Sequence, residues 1–221
     1  MQQNKLAQPK LYMMAQTKPQ TLTLHTFDFA QEYVLENDRV KLIPLSEKYA
    51  ADLLYYALHE SDIWHFSSDK PTTNENMILY IKAALAMRKE KQGYAFVVWD
   101  KKQNKIVGST RYYRMDLRNK VSAIGYTWYG KTAQGTGVNK NCKYLLFEFL
   151  FEKAHFERVE FEADNENKRS LAAIKSLGCT QEGILRKNKI RTDGTRRDSA
   201  VFGLLKEEWL KEAKKNLQAK L

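Results

Sequence analysis

The sequence contains few of the residues that cross-link chains or hold metal ions. It has two cysteines, Cys142 and Cys179, which form neither a CxxC motif nor a paired framework. This scarcity fits a reducing compartment and argues against a structural zinc site, because such sites take clusters of cysteine and histidine. We therefore expect free thiols and no metal.

Long apolar runs are also missing. The longest apolar segments are short, such as residues 145–146 and 149–151, whereas a helix that spans a bilayer needs about 20 residues. The lysines near the N-terminus precede no continuous apolar stretch, so a secretory signal is not expected. We therefore predict a cytoplasmic protein without a membrane partner.

The basic residues outnumber the acidic ones, and the formal net charge is +11. This excess has three interpretations: binding of nucleic acid, binding of a phosphorylated cofactor, or a solvated basic surface. The lysines are scattered along the chain, and a basic surface alone is weak evidence for nucleic-acid binding. The charge therefore leaves the choice among the three open.

The hydrophobic pattern predicts one α+β domain with a mostly antiparallel sheet. We assign residues 1–33 to an N-terminal extension, in which Met13 or Met14 could be an alternative start, and residues 34–221 to the domain. Ser46 and Thr72 are the predicted caps of the first two helices. The predicted strands are 39–44, 94–99, 106–115, 121–129, 158–163, 181–191 and 195–205, and later helices begin near residues 138, 168 and 207.

The most informative motif is a turn with two glycines between a strand and a helix. Gln134–Gly137 precedes an amphipathic helix with Cys142 on its apolar face and Lys143 elsewhere. Backbone N–H groups in such a turn can converge on an anion, and glycines let a phosphate approach closely. The motif is not a Walker loop, because no Lys-Ser/Thr pair follows the last glycine, and it is not GxGxxG, because Lys140 occupies the third glycine position. An ordinary turn is the alternative interpretation.

Several other segments occur in a fixed order around this turn. They are Ile124–Trp128, Gln134–Asn139, Asn167–Ser170, Glu182–Arg186 and Asp193-Gly194. Together they resemble the GNAT superfamily of N-acetyltransferases over about Val34 to Trp209, and within it the RimJ/RimL-like branch of ribosomal-protein-alanine acetyltransferases. The resemblance implies a central mixed sheet flanked by helices, and acetyl transfer from acetyl-CoA to a primary amine.

The resemblance also implies where acetyl-CoA binds. A strand would pair with the pantetheine arm, the glycine turn would hold the pyrophosphate, and an asparagine would bind the same arm. The implied residues are Tyr126, Thr127, Trp128, Gln134, Gly135, Thr136, Gly137, Val138, Asn139 and Asn167. The family motif has Arg or Gln where this chain has Thr132, so backbone N–H groups would contribute more, with Gln134 as a nearby substitute.

Direct transfer needs a base for the amine and an acid for the leaving thiolate. Many relatives have a tyrosine acid where this chain has Ile174. Ser170, one turn earlier, matches a serine proposed as the acid in the RimL-like branch, and is alternatively a helix N-terminal cap or a first-turn residue. Glu160 and Glu162 share one strand face, and are candidate bases if that face lines the cleft or surface charges if it faces solvent.

The sequence says less about the acceptor amine and its pocket than about acetyl-CoA. Glu60 and His65 flank the helical region that is expected to shape the acceptor pocket, and Trp64 is interpreted as a packing residue. The strands 181–191 and 195–205 form a predicted hairpin around Asp193-Gly194. Its cations are either solvated or contact an acidic acceptor, RNA or the ribosome: Arg186, Lys187, Lys189, Arg191, Arg196 and Arg197. The acceptor amine is a protein N-terminus or a small molecule. The alternatives are a non-catalytic CoA-binding protein of this fold and a basic RNA- or ribosome-associated protein; a homodimer fits either.

Overall fold

The computed structural model of the protein describes residues 27–67, 70–191 and 193–221. Met13 and Met14, and with them most of the predicted extension, lie outside the described residues. Phe27 is 4% exposed, and its ring contacts the rings of Tyr33 and Tyr94. Residues 27–33 of the predicted extension therefore pack against the core of the domain.

Eight strands form one sheet in the order β1-β2-β3-β4-β5-β6-β8-β7. Neighbouring strands are antiparallel apart from β5 and β6, which pair in parallel. This mixed sheet with its helices confirms the predicted α+β domain. The strands are β1 Leu35–Glu36, β2 Val40–Pro44, β3 Gly93–Asp100, β4 Lys105–Asp116, β5 Val121–Tyr129, β6 Arg158–Asp164, β7 Thr180–Ile190 and β8 Arg196–Leu205.

Helices cover both faces of the sheet. On one face, α1 (Ala50–His59) and α2 (Asn74–Lys89) share an apolar cluster with β3 and β5. On the other, α3 (Val138–Glu148), α4 (Lys168–Ser176) and the C-terminal helix form the larger cluster. The C-terminal helix comprises α5 (Lys206–Glu208), a π-helical segment (Trp209–Ala213) and α6 (Lys214–Gln218). Among the described residues, no helix is both long and apolar enough to cross a membrane.

Two helices begin differently from the sequence prediction. Ser46 makes no side-chain cap bond and precedes a 3₁₀ turn, Glu47–Tyr49, so that α1 begins at Ala50. The cap of α2 is Thr73 rather than Thr72, because the Thr73 hydroxyl accepts a hydrogen bond from the Asn76 amide at 3.2 Å. Both differences are small shifts in position, since several hydroxyl residues near a helix start can compete to satisfy its first amides.

The helix α3 is buried around most of its circumference, and the prediction that Lys143 lies off its buried face is wrong. Lys143 is 3% exposed, and the run from Asn141 to Phe147 is buried. The reason is tertiary: Trp209 of the C-terminal helix packs on Tyr144 and Phe147, while other sides of α3 contact the sheet. A helix covered on several sides shows no single apolar stripe.

Candidate functional site

The strands β5 and β6 pair briefly and then diverge. Their parallel pairing joins Val121–Ala123 to Arg158–Glu160, and within the described chain it extends no further. β5 continues to Tyr129 and β6 to Asp164, so a slot opens between their facing edges. An extended ligand can add to an open strand edge through backbone hydrogen bonds. The sequence-predicted residues 126–128 all lie on this open part of β5.

A β-bulge lies on β5 beside the slot. The register between β4 and β5 shifts between the pairs Ser109–Trp128 and Arg111–Gly125, and Tyr126 has a φ of 48°. A bulge re-aims side chains and interrupts the regular ladder. The Tyr126 side chain is accordingly 38% exposed, whereas Trp128 is buried. The bulge thus places an exposed aromatic ring at the edge of the slot.

The glycine turn forms a loop with left-handed backbone at the N-terminus of α3. Gly135 and Gly137 have φ values of 74° and 87°, which side-chain-bearing residues rarely adopt. A Cβ at Gly135 would meet no atom within 4 Å, so open space adjoins the loop. Gly137 is the N-cap and supplies no side-chain bond, and α3 begins at Val138. The first amides of α3, with Asn139 in its first turn, therefore present donors to an anion.

The side chains of Thr132, where the family motif has Arg or Gln, and of Gln134 hold the loop in place. Thr132 Oγ1 donates to Gln103 Oε1 at 2.9 Å, and Gln134 Nε2 donates to the Tyr129 carbonyl at 2.8 Å. Gln134 Oε1 also accepts from Arg169, so it connects the loop to the first turn of α4. Gln134 is therefore placed as a support for the loop, which leaves the anion to the backbone N–H groups.

A cation next to the loop was missed by the sequence analysis. Arg39 Nη2 lies 3.4 Å from Thr136 Oγ1, and the same guanidinium forms a salt bridge with the buried Asp100. Arg39 is distant in sequence, and no local motif marks it. Because Asp100 neutralises its charge, Arg39 supports the loop through Thr136 and adds no net charge beside it.

The cap of α4 is Asn167. Its Oδ1 accepts a hydrogen bond from the Ser170 amide at 3.0 Å, so Ser170 is not the cap, whereas its alternative interpretation as a first-turn residue is confirmed. The cap uses only the oxygen of Asn167, and its side-chain NH₂ group can still donate to a ligand. Ser170 is half-buried in the first turn of α4. The Ser170 hydroxyl is thus free of the capping role.

Glu162 lies in a cluster of cations rather than beside a free cleft. Its side chain is 4% exposed and forms salt bridges with Lys189 at 2.7 Å and Arg197 at 3.2 Å. Burial alone would raise the pKa of Glu162, but the hydrogen bond and charge of Lys189 outweigh it and lower the pKa to about 2. A carboxylate with so low a pKa is a poor general base at neutral pH.

Glu160 lies two residues before Glu162, on the same face of β6. Its carboxylate accepts from Arg158 Nε at 2.9 Å and lies 3.5 Å from an Arg114 nitrogen. Its side chain is 27% exposed, which leaves it accessible to water. Of the two glutamates, Glu160 is the better placed to exchange a proton.

The cations of the C-terminal hairpin are partly neutralised. Lys189 and Arg197 pair with Glu162, and Arg191 pairs with Asp164 at 2.8 Å. Half of the six hairpin cations therefore bond to carboxylates of β6. This pairing weakens the interpretation of the hairpin as a nucleic-acid surface, because the charge is used within the protein.

Lys143 lies buried beneath the bulge. Its Nζ donates to Thr127 Oγ1 at 2.9 Å and to Thr110 Oγ1 at 3.1 Å, and among the described residues it forms no salt bridge. Burial lowers the pKa of Lys143 to about 8. An amphipathic-helix pattern could not reveal this residue, since a lysine is normally assigned to the solvent face.

The remaining sequence-predicted residues are placed as follows. Cys142 and Cys179 are buried and unpaired, as expected, and burial raises the pKa of each thiol to about 12. Trp64 is 2% exposed and packs against Trp128, which confirms it as a packing residue. Glu60 accepts a bond from the Lys131 amide. In the described part of the chain, no cluster of three or more histidine, cysteine, aspartate or glutamate side chains could hold a metal ion.

Known proteins resemble this chain in sequence and in fold. Residues 39–180 match the family model described as an acetyltransferase (GNAT) domain. An uncharacterized N-acetyltransferase, p20, of Bacillus licheniformis is 28% identical over 120 residues, which cover 54% of this chain and 66% of that protein. The matched segment thus spans slightly less than two thirds of that relative.

Two solved structures share the architecture. A GCN5-related N-acetyltransferase from Brucella melitensis is 26% identical, with a TM-score of 0.78 and coverage of 86% of this chain and 85% of that one. Mycobacterium smegmatis RimJ, solved in complex with CoA-disulfide, is 19% identical, with a TM-score of 0.73 and coverage of 86% and 93%. At that identity RimJ shows the fold alone. The diverging strands, the glycine loop and the match over residues 39–180 together identify the chain as a member of the GNAT acetyltransferase family.

Proposed function

We propose that the protein is a cytoplasmic N-acetyltransferase that transfers the acetyl group of acetyl-CoA directly to a primary amine. The observation that carries this proposal is the slot between β5 and β6, flanked by the N-termini of α3 and α4. The slot offers an open strand edge, a loop of free amides and two helix dipoles, which suit a long amide-containing chain with a pyrophosphate.

The residues present fit acetyl-CoA. Backbone groups of Tyr126 to Trp128 would pair with the pantetheine arm, and the Asn167 NH₂ group would donate to it. The pyrophosphate would be held by the amides of Gly135, Thr136, Gly137, Val138 and Asn139. The Gln134 amide, which the sequence also offered, already donates to the Lys131 carbonyl at 3.2 Å. The RimJ structure was solved with CoA-disulfide, and this chain shares its fold.

Bound acetyl-CoA supplies an activated acetyl thioester. Ser170 would donate a proton to the departing sulfur and regain one from water, and the N-terminus of α4 would stabilise the negative charge there. Glu160 would take the proton that the amine loses, through a water molecule, because its carboxylate is accessible to solvent. One proton leaves the nitrogen and one reaches the sulfur, so no covalent enzyme species is required.

The acceptor is a protein N-terminus or a small-molecule amine. The test is release of thiol from acetyl-CoA in the presence of alanine-starting peptides, polyamines, aminoglycosides and amino acids. Turnover that depends on one of these amines supports the proposal. CoA binding without turnover on the whole panel would favour a non-catalytic binding protein. A steeply salt-dependent shift on RNA without turnover would favour an RNA-associated protein.

A further inference from the structure

Within residues 27–67, 70–191 and 193–221, a buried arginine on β4, the strand next to β5, has no carboxylate partner. Arg111 on β4 is 3% exposed, and its side chain extends towards α2, where Nη1 lies 3.8 Å from Met87 Sδ. In the described part of the protein, its Nε and Nη2 atoms are buried without any hydrogen-bond partner. Buried charges are normally paired, because desolvation without compensation is costly.

The surroundings of Arg111 compensate only in part. The guanidinium lies 4.0 Å from the centroid of the Tyr126 ring and 5.0 Å from that of Tyr80. Cation–π contacts stabilise the charge but do not satisfy the N–H donors. Two tyrosine rings thus lie against the planar cation, while its Nε and Nη2 donors have no acceptor among the described residues.

A second buried donor adjoins the same tyrosine. Trp64 Nε1 is buried without a partner in the described residues, and its ring is 6.0 Å from that of Tyr80. The Tyr80 hydroxyl is 3.4 Å from Trp128 Nε1. We call this group the donor cluster, which comprises Trp64, Tyr80, Arg111, Tyr126 and Trp128. The donor cluster has more buried N–H groups than acceptors. An oxygen-rich ligand would correct that imbalance.

The unused atoms of Arg111 determine the shape of the ligand. Nε–H and one Nη2–H point in parallel from the same edge of a guanidinium, and this edge matches the two oxygens of a carboxylate. A planar carboxylate also suits a site between two aromatic rings. The unpartnered edge is therefore complementary to a carboxylate, whereas a single amide or hydroxyl would leave one N–H unsatisfied.

The position of Arg111 connects this ligand to the reaction. Arg111 pairs with Gly125 across β4 and β5, immediately before the bulge at Tyr126. It lies on the α1 and α2 face of the sheet, while its neighbour Thr110 faces Lys143 on α3. The Tyr126 ring lies over the Arg111 guanidinium and is itself 38% exposed, so it separates the guanidinium from solvent.

We propose that Arg111 binds a carboxylate of the acceptor, and that the acceptor is an amino-acid-like amine. This inference rests on the proposed acetyltransferase function and assigns its substrate class. Tyr126 is displaced when the acceptor enters, and its ring then packs on the acceptor. Arg111 positions the acceptor and takes no part in proton transfer.

Matched amines test the assignment. The twenty L-amino acids and their primary amides are compared as acceptors, with ethanolamine and phosphoethanolamine as a phosphate pair. We expect kcat/KM to be at least tenfold higher for the amino acid than for its amide, mainly through KM. Equal use of both members of every pair would overturn the inference while leaving acetyl transfer intact. A preference confined to phosphoethanolamine would overturn the carboxylate assignment.

Variants of Arg111 identify the residue responsible. Arg111→Gln and Arg111→Lys should each lose most of the preference for the carboxylate, since lysine keeps the charge but lacks the two-donor edge. Arg118→Gln removes one exposed charge from the β4–β5 turn and should keep the preference. An equal loss of rate on amino acids and amides in Arg111→Gln would show a structural role only.

A binding measurement separates this inference from the reaction itself. With CoA present, N-acetyl amino acids should raise the melting temperature of the wild type more than N-acetyl amino acid amides do. Arg111→Gln should abolish that difference. If no amine supports turnover, the proposed function fails, yet this binding difference still decides whether Arg111 recognises a carboxylate. Identical shifts with both ligands would overturn the inference.

Discussion

The Oδ1 atom of Asn167 accepts a hydrogen bond from the Ser170 amide at 3.0 Å. This single contact assigns the capping function of α4 to Asn167 and leaves the Ser170 hydroxyl without a structural task at the helix start. Stability and turnover should therefore respond separately to changes at these two residues.

Ser170→Ala should lower turnover by one to three orders of magnitude if its hydroxyl protonates the thiolate, roughly as for other general acids. Its melting temperature should stay close to that of the wild type, because the cap is retained. Asn167→Ala should instead cost about 1 kcal/mol of stability. Steady-state kinetics and thermal unfolding of both variants check these outcomes.

Ser176→Ala is the control for Ser170→Ala. Ser176 lies at the other end of α4, where its hydroxyl donates to the Ala173 carbonyl at 2.7 Å. This variant should keep its turnover. Full activity of Ser170→Ala would remove Ser170 from the mechanism and leave water as the proton donor.

Gly135→Val should abolish stabilisation by CoA. A ligand at 100 times its dissociation constant adds about 2.7 kcal/mol to wild-type stability by mass action. Gly194→Val is the matched control, because Gly194 also has a positive φ of 82° with no atom within 4 Å of a Cβ, but lies in the hairpin turn. Both variants should be strained, yet only Gly135→Val should lose the CoA-induced thermal shift. An equal shift in both would exclude the loop from CoA binding.

Lys143 should make the stability of the apoprotein rise with pH. Its folded pKa of about 8 lies below the ordinary 10.5, so between these values the unfolded chain binds more protons than the folded one. The cost is fully present below pH 8 and disappears as the pH rises towards 10.5, and amounts to on the order of 3 kcal/mol. Urea unfolding of the apoprotein at pH 7.5 and 10 measures it.

Lys143→Met isolates this contribution. The buried thiols and tyrosines have raised pKa values and act in the opposite direction at high pH, but they are present in both proteins. The stability of Lys143→Met relative to wild type should therefore fall by roughly 2–3 kcal/mol between the two pH values. A pH-independent difference would mean that Lys143 is not buried as a titrating amine.

Glu160→Gln and Glu162→Gln should have different effects. Because the pKa of Glu162 is lowered to about 2, its contribution to stability is present above pH 4.5 and is lost as the pH falls towards 2. Glu162→Gln should lack that part of the acid transition in unfolding experiments. Glu160→Gln should instead lower turnover about 100-fold or more at neutral pH as the general base. The reverse pattern in both assays would exchange their roles.

The sequence by itself determined the order of the elements and the fold class. Alternating apolar residues mark β2 and β6 because one sheet face must be buried. The glycines at 135 and 137 mark a backbone with positive φ that other residues avoid. Asp193-Gly194 likewise marks the hairpin turn, where Gly194 has a φ of 82°. These signals are local, so they can be recognised along the chain without knowing its neighbours in space.

Only the tertiary structure decided which charged side chains of the site are paired and which are buried. Glu162 changes from a candidate base to a paired carboxylate because Lys189 and Arg197 of the hairpin lie against it. Lys143 is buried because the sheet and the C-terminal helix enclose α3. Among the described residues Arg111 has no acceptor for Nε and Nη2, because aromatic side chains from α2 and β5 lie against it. Charge–charge energies and desolvation depend on distances between residues far apart in sequence, which no local pattern specifies.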